Sequence, residues 1–242
     1  MIFVWQKQQK IRFILFLVLA LLTVLSFSPV LRSEFTNWDD PLHTTENPFV
    51  QNLSWNDFKG IFTSTVVKAY IPLTILSFAF EYHFVRDHPL VYHLDNLILH
   101  IGNVFLIFVL AQRLGLSLRA CFLASLLFAI HPMRAESVAW ITERKDVLYG
   151  FFFLLAILSY LTYLDKKTFI SYCLSIVLGL LSMLAKPMAL SLPLVLLSLD
   201  WFTNRELKRK VFFEKIPFLI YILPILWITY SLNARIPGHS IK

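Results

Sequence analysis

The stretch VYHLDNLILHIGNVFLIFVL, residues 91–110, decides the fold. It holds one charged side chain, Asp95, in 20 residues. About 20 mostly apolar residues carry an α-helix across a bilayer core, so this stretch reads as a transmembrane span. His93, Asn96, His100 and Asn103 are spaced three, four and three apart. At about 100° per residue they fall within an arc of about 80°, one face of the helix. Polar side chains at membrane depth turn toward the bundle interior. Two readings of this stripe stand side by side: a substrate-binding face, or interhelical hydrogen bonding.

Six more spans surround this one: 11–30, 114–130, 147–164, 169–185, 188–202 and 216–231. The first follows a basic start, Lys7, Lys10 and Arg12. No clear small-residue cleavage site follows it, so it reads as a retained anchor. Arg119 weakens the span at 114–130. The segment 69–84 is apolar too, but it carries Pro72 and Glu81 and follows Lys68. It reads as an interfacial or re-entrant segment.

Composition agrees with lipid as the solvent. The chain is 57% hydrophobic and 15% charged, where a soluble domain has roughly 25% charged residues. The net charge of +7 does not point to nucleic acid, because the basic residues sit in short clusters between apolar runs. Cys121 and Cys173 both lie in apolar runs and read as small packing residues. No Walker loop, GxGxxG or HExxH motif occurs, which leaves soluble nucleotide and zinc-protease chemistry without support.

With the N-terminus in the cytoplasm, 12 basic and four acidic residues face inward, leaving 10 basic and 11 acidic residues outside. That inner excess satisfies the positive-inside rule. The expected fold is therefore an all-α polytopic membrane protein of about seven helices, one membrane domain over 1–242 with a long first outer loop over 31–89. The basic cluster at 205–210 marks topology and suits anionic lipid. The Asn52-Leu53-Ser54 sequon is a weak signal.

Three outer segments hold the groups fit for chemistry. The long loop opens with FTNWDDP, residues 35–41, where Asp39 and Asp40 stand before Pro41. Adjacent carboxylates at a membrane surface can take a proton from an acceptor hydroxyl or hold a divalent metal. A solvated turn is the plain alternative. The segment 131–146, HPMRAESVAWITERKD, adds His131, Arg134, Glu136, Arg144 and Lys145 close to the membrane face. Arg and Lys there suit a phosphate, and internal salt bridging is the alternative. Lys186, in SMLAKPMALSLP, either snorkels to the surface or holds an anion.

Taken together, four ordered motifs resemble the transmembrane and tetratricopeptide-repeat O-mannosyltransferases and their bacterial relatives. They are NWDDP; YIPLTILSFAFEY followed by YHLDNLILH; HPMRAESVAWITERKDVLYGFFFLLAILSYLTY; and LAKPMALSLPLVLLSLDWF. The resemblance runs over about 36–202. It implies a GT-C membrane glycosyltransferase that moves a sugar, mannose by family, from a polyprenyl-phosphate donor to a hydroxyl acceptor on the non-cytoplasmic side. Asp39 or Asp40 would match the loop-one acid and act as base. Arg134, Arg144, Lys145 and Lys186 are candidates for the phosphate, with Glu136 and His131 orienting them. His93, Asn96 and His100 complete the substrate-binding set. The resemblance also implies a bacterial inner membrane as the location.

The family continues with further spans and a tetratricopeptide-repeat region. This chain has no 34-residue repeat. A truncated form, or a short form working with a repeat-containing partner, is therefore the expectation. The rival function is a non-catalytic membrane subunit of the same fold. A transporter has less support, because neither inverted repeats nor paired broken helices occur.

Overall fold

The computed structural model describes residues 2–234. Twelve helices follow one another: α1 (Ile2–Phe27), α2 (Asp40–His43), α3 (Trp55–Thr63), α4 (Pro72–Val85), α5 (Pro89–Arg113), α6 (Leu118–Ile130), α7 (Ala135–Ala139), α8 (Arg144–Lys166), α9 (Phe169–Ala185), α10 (Leu192–Phe202), α11 (Arg209–Phe213) and α12 (Ile216–Ala234). No strand occurs among the described residues.

A helix coincides with each expected span. Four segments are long and apolar enough to cross a membrane: Gln9–Arg32, Pro89–Arg113, Ile141–Lys166 and Arg209–Leu232. A fifth is made if Leu118–Ile130 and Pro132–Ala139, bent by 54°, count as one. Phe169–Ala185 and Pro187–Phe202 are apolar but shorter. At 1.5 Å per residue each reaches about 25 Å, short of a hydrocarbon core of about 30 Å. The protein is thus an all-α, multi-pass membrane protein with four or five full-length helices, and a count of seven depends on the two short ones. The loop before α5 is folded, carrying α2, α3 and α4. α4 is 14 residues long, about 21 Å, too short to cross alone.

Local chemistry sets the turns and the packing. Gly115 closes α5 at φ +85°, a conformation that costs glycine least. Gly115 N–H donates to Gln112 O and Leu116 N–H to Ala111 O, the paired bonds of a Schellman cap. Ser175 and Ser182 on α9 donate to Ala156 O and Tyr149 O of α8, each at 2.9 Å, which knits the hairpin. At Gly179 a Cβ would meet Tyr221 Oη at 2.4 Å and Leu192 Cδ2 at 2.7 Å, so α12 sits against α9 without a side chain between. Phe13, Ile14, Leu17, Leu21 and Leu25 of α1 are exposed, as are Leu219, Ile220, Leu223 and Trp227 of α12. On a membrane protein these faces meet lipid.

The two ends of the bundle carry separate polar networks. At one end Asp200, wholly buried, accepts from Tyr160 Oη, from Arg205 at 2.9 Å and from Lys215 Nζ. Arg205 also donates twice to Glu214, at 2.6 and 2.7 Å. Two cations and two carboxylates thus lock the ends of α8 and α10 to α11 and α12. The other end holds the aspartate pair.

Candidate active site

Pro41 sits in the first turn of α2, where a missing N–H costs nothing, and the two aspartates flank that helix start with opposite fates. Asp40 is buried, 1% exposed. Its Oδ2 accepts from Thr36 N at 2.8 Å and Thr36 Oγ1 at 2.9 Å. Its Oδ1 accepts from Thr142 N at 3.0 Å and Thr142 Oγ1 at 2.6 Å. Four donors fill a carboxylate's four lone-pair sites, so Asp40 joins the loop to the turn before α8 and has no capacity left for a metal. Asp39 is half-buried. Its carboxylate has neither a hydrogen bond nor an ion pair among the described residues.

His43 fixes the backbone of that free aspartate. Its Nδ1 lies 2.8 Å from Asp39 O. A carbonyl only accepts, so Nδ1 carries the hydrogen and Nε2 is bare. Burial holds the imidazole below its ordinary 6.5 against the pull of the Asp39 carbonyl, and Lys145 nearby lowers it further. Trp38, the residue before Asp39 in the chain, meets Trp140 edge to face at 6.0 Å. With Thr36 and Asn37 they line an open cleft of about 400 Å³.

The basic residues divide as sharply. Arg144 is 1% exposed. It donates to Asn96 Oδ1 at 2.8 Å, to both oxygens of Glu81, and to Tyr92 O at 2.9 Å. Its guanidinium lies 4.5 Å from the centre of the Phe78 ring. Four of the five guanidinium donors are therefore spent inside the protein. Burial pushes Glu81 up to about 7 even with Arg144 beside it. The sequence-based expectation of a phosphate contact finds no free fork at Arg144. Lys145 pairs with Glu143 at 2.6 Å, and Lys186 pairs with Asp146 and lies 3.7 Å from Glu143. Both lysines are half-buried and neutralised locally.

Arg134 differs. It is half-buried over the Phe128 ring and has no ion pair among the described residues. His131 and Glu136 are exposed. His131 Nδ1 accepts from Met133 N at 3.2 Å, capping its own turn. Neither side chain bonds Arg134 or Arg144 among the described residues, so the orienting role expected for them has no contact behind it.

The stripe on α5 is buried throughout. Asn96 donates to Trp140 O at 3.2 Å, His100 Nε2 to Ala129 O at 3.0 Å, and Asn103 to Val147 O at 2.8 Å. It therefore ties α5 to α6 and α8. His93 lies by the Ser33 and Glu34 backbone without a hydrogen bond of good geometry among the described residues. Sequence reading did not single out Thr36, Thr142, His43 or Trp38. Glu81 was noticed only as a reason against a span, although an acid in one apolar segment and an arginine in another are natural partners.

Among the described residues no three His, Cys, Asp or Glu side chains gather as a metal site. No family model matches the chain, and no solved structure matches it. Curated proteins do. The protein O-mannosyl-transferase TMTC1 of Mus musculus is 37% identical over 159 residues, 62% of this chain and 17% of that protein. TMTC3 of Homo sapiens is 40% identical over 113 residues, 46% of this chain and 12% of the relative. tmtc2 of Xenopus laevis is 33% identical over 204 residues, 78% of this chain and 24% of the relative. The chain thus spans between about an eighth and a quarter of these relatives. Over the matched stretches it is a homologue of the TMTC protein O-mannosyl-transferases, the family that its sequence motifs resemble.

Proposed function

We propose that this chain is a membrane glycosyltransferase of the GT-C type, with Asp39 as its general base. The donor is a polyprenyl-phosphate sugar, mannose by the names of the relatives. The acceptor is a hydroxyl, and transfer takes place on the non-cytoplasmic side, with the N-terminus in the cytoplasm. The observation that carries this reading is the split within the aspartate pair. Asp40 is saturated by Thr36 and Thr142, while the adjacent Asp39 keeps a carboxylate free of partners among the described residues. A structural turn needs only the first. A proton acceptor needs the second.

In the reaction the acceptor oxygen attacks the anomeric carbon from the face opposite the phosphate. Its proton passes to the Asp39 carboxylate. The bond from the anomeric carbon to the phosphate oxygen breaks, and the electron pair leaves on polyprenyl phosphate, with inversion. Asp40 and His43 hold the backbone from which Asp39 projects. Arg144 serves as framework, and Lys145 and Lys186 set the local field through their acidic partners. Trp38 and Trp140 offer an apolar wall to whatever enters the cleft.

Transfer from a radiolabelled polyprenyl-phosphate sugar, in membranes holding the wild-type chain or its Asp39→Asn variant, tests this directly. Loss of transfer in a variant that folds normally supports the reading, and unchanged transfer defeats it.

A further inference from the structure

At the end of the bundle away from the aspartate pair, α1 and α6 leave an open groove of about 470 Å³ between them. Ile11 and Leu15 of α1 line it, with Leu118, Arg119, Phe122 and Leu123 of α6. Five of the six are apolar, and the sixth, Arg119, belongs to the first turn of α6. Arg12 follows Ile11 and lies within electrostatic reach of Cys121, two residues past Arg119. Both arginines are exposed, and neither has an ion pair or a hydrogen bond among the described residues. Other arginines at this end are neutralised: Arg113 by Asp165 at 2.8 Å, and Arg205 by Asp200 and Glu214. The start of α6 adds to the positive field. Ser117 Oγ accepts from Ala120 N at 3.3 Å, while the N–H groups of Leu118 and Arg119, ahead of it, have no acceptor within the helix. The positive end of the helix dipole lies at the same place.

A hydrocarbon tail gains little by entering an apolar groove from the bilayer, because lipid tails are as apolar as leucine. What sets this groove apart is the charge at its end, two arginines and a helix N-terminus that no carboxylate pairs with among the described residues. A phosphodiester complements all of it. A guanidinium fork takes two phosphate oxygens, and N–H groups at a helix start take an anion. We propose that this groove is a site for one anionic phospholipid of the leaflet that meets the N-terminal end of α1. Its phosphate sits at Arg12, Arg119 and the first turn of α6, and an acyl chain runs between Leu15 and Leu123. A zwitterionic lipid brings its own cation beside the phosphate, so the site prefers a net anionic headgroup. The bound lipid ties α1 to α6. The proposal is independent of the transferase reading and uses none of the basic cluster at 205–210.

The test is native mass spectrometry of the purified full chain in mild detergent, titrated with phosphatidylglycerol or with phosphatidylcholine of the same chains. The wild type retains one phosphatidylglycerol at least tenfold more tightly than phosphatidylcholine. Arg12→Gln and Arg119→Gln each weaken that binding about fivefold, the equivalent of about 1 kcal/mol per basic residue at the membrane surface. The control, Arg209→Gln with Lys210→Gln, removes two charges from the same end and leaves the affinity unchanged. Leu123→Trp fills the groove, keeps both arginines and weakens phosphatidylglycerol at least fivefold. Should that variant fail to unfold at the wild-type temperature, phosphatidylglycerols of shortened chains on the wild type give the same readout, losing affinity with length. Equal retention of the two lipids overturns the proposal. So does a loss in the control as large as in the two arginine variants, because the attraction is then diffuse. A lipid-free dimer that Leu123→Trp dissociates overturns it too, and gives the groove to a second copy of the chain.

Discussion

Asp40 Oδ1 lies 2.6 Å from Thr142 Oγ1 and 3.0 Å from Thr142 N, joining residues 102 apart in the chain. With Thr36 on the other oxygen, one buried carboxylate holds the loop before α2 against the turn before α8. That bond fixes where Asp39 stands relative to Trp140 and Lys145.

Replacing Asp40 by Asn turns an amide NH₂ toward donors that need an acceptor. The expected cost is about 1–3 kcal/mol for the buried groups left unsatisfied. Thermal unfolding in detergent should show a lowered midpoint for Asp40→Asn. An unchanged midpoint would mean that the four hydrogen bonds contribute little to the fold.

Arg144→Lys keeps the charge and loses the planar fork that serves Asn96, Glu81 and Tyr92 O together. The expected loss is about 1–3 kcal/mol, the cost of buried acceptors left unsatisfied. Binding of bare polyprenyl phosphate to the folded fraction should be unaffected. Selective loss of lipid binding with full stability would return Arg144 to the phosphate.

His43 gives the fold a pH dependence of known sign. Its folded-state value lies below the ordinary 6.5 because burial disfavours the charged ring. Its contribution to stability is therefore present above pH 6.5 and is lost as the pH falls from there through the lowered folded value. The wild type should lose thermal stability relative to His43→Gln between pH 7.5 and pH 5.5. A difference that stays flat over that range would contradict a buried neutral imidazole.

At the far end of the bundle, Lys215→Met leaves the buried Asp200 short of one partner. The predicted loss is about 3 kcal/mol, read as unfolding temperature. Adding Asp200→Asn should recover part of it, the sign of a coupled pair. A double variant no better than the sum of the single ones would show that the two residues act apart.

Much of this molecule was legible in the chain itself. Long apolar runs fix helices wherever they occur, since a backbone in lipid has no other partner, and helices stand at 11–30, 91–110 and 147–164 as expected. The 3-4-3 spacing of His93, Asn96, His100 and Asn103 announced a buried face on α5. What stayed hidden depends on contacts between distant residues. Nothing near Asp39 and Asp40 tells which of them meets Thr142. Nothing in the run Arg144–Lys145 tells that the first turns inward to Glu81 while the second meets Glu143. Residue type gave the candidates, and tertiary pairing divided them into framework and free groups.

The central claim is that Asp39 removes the acceptor's proton while Asp40 only supports it. Its most direct test is sugar transfer from a radiolabelled polyprenyl-phosphate donor by the Asp39→Asn variant, with thermal unfolding measured on the same sample. The account predicts a loss of about 10²- to 10⁴-fold, the range for a general base, with an unchanged unfolding temperature. Transfer at the wild-type rate by folded Asp39→Asn would contradict it.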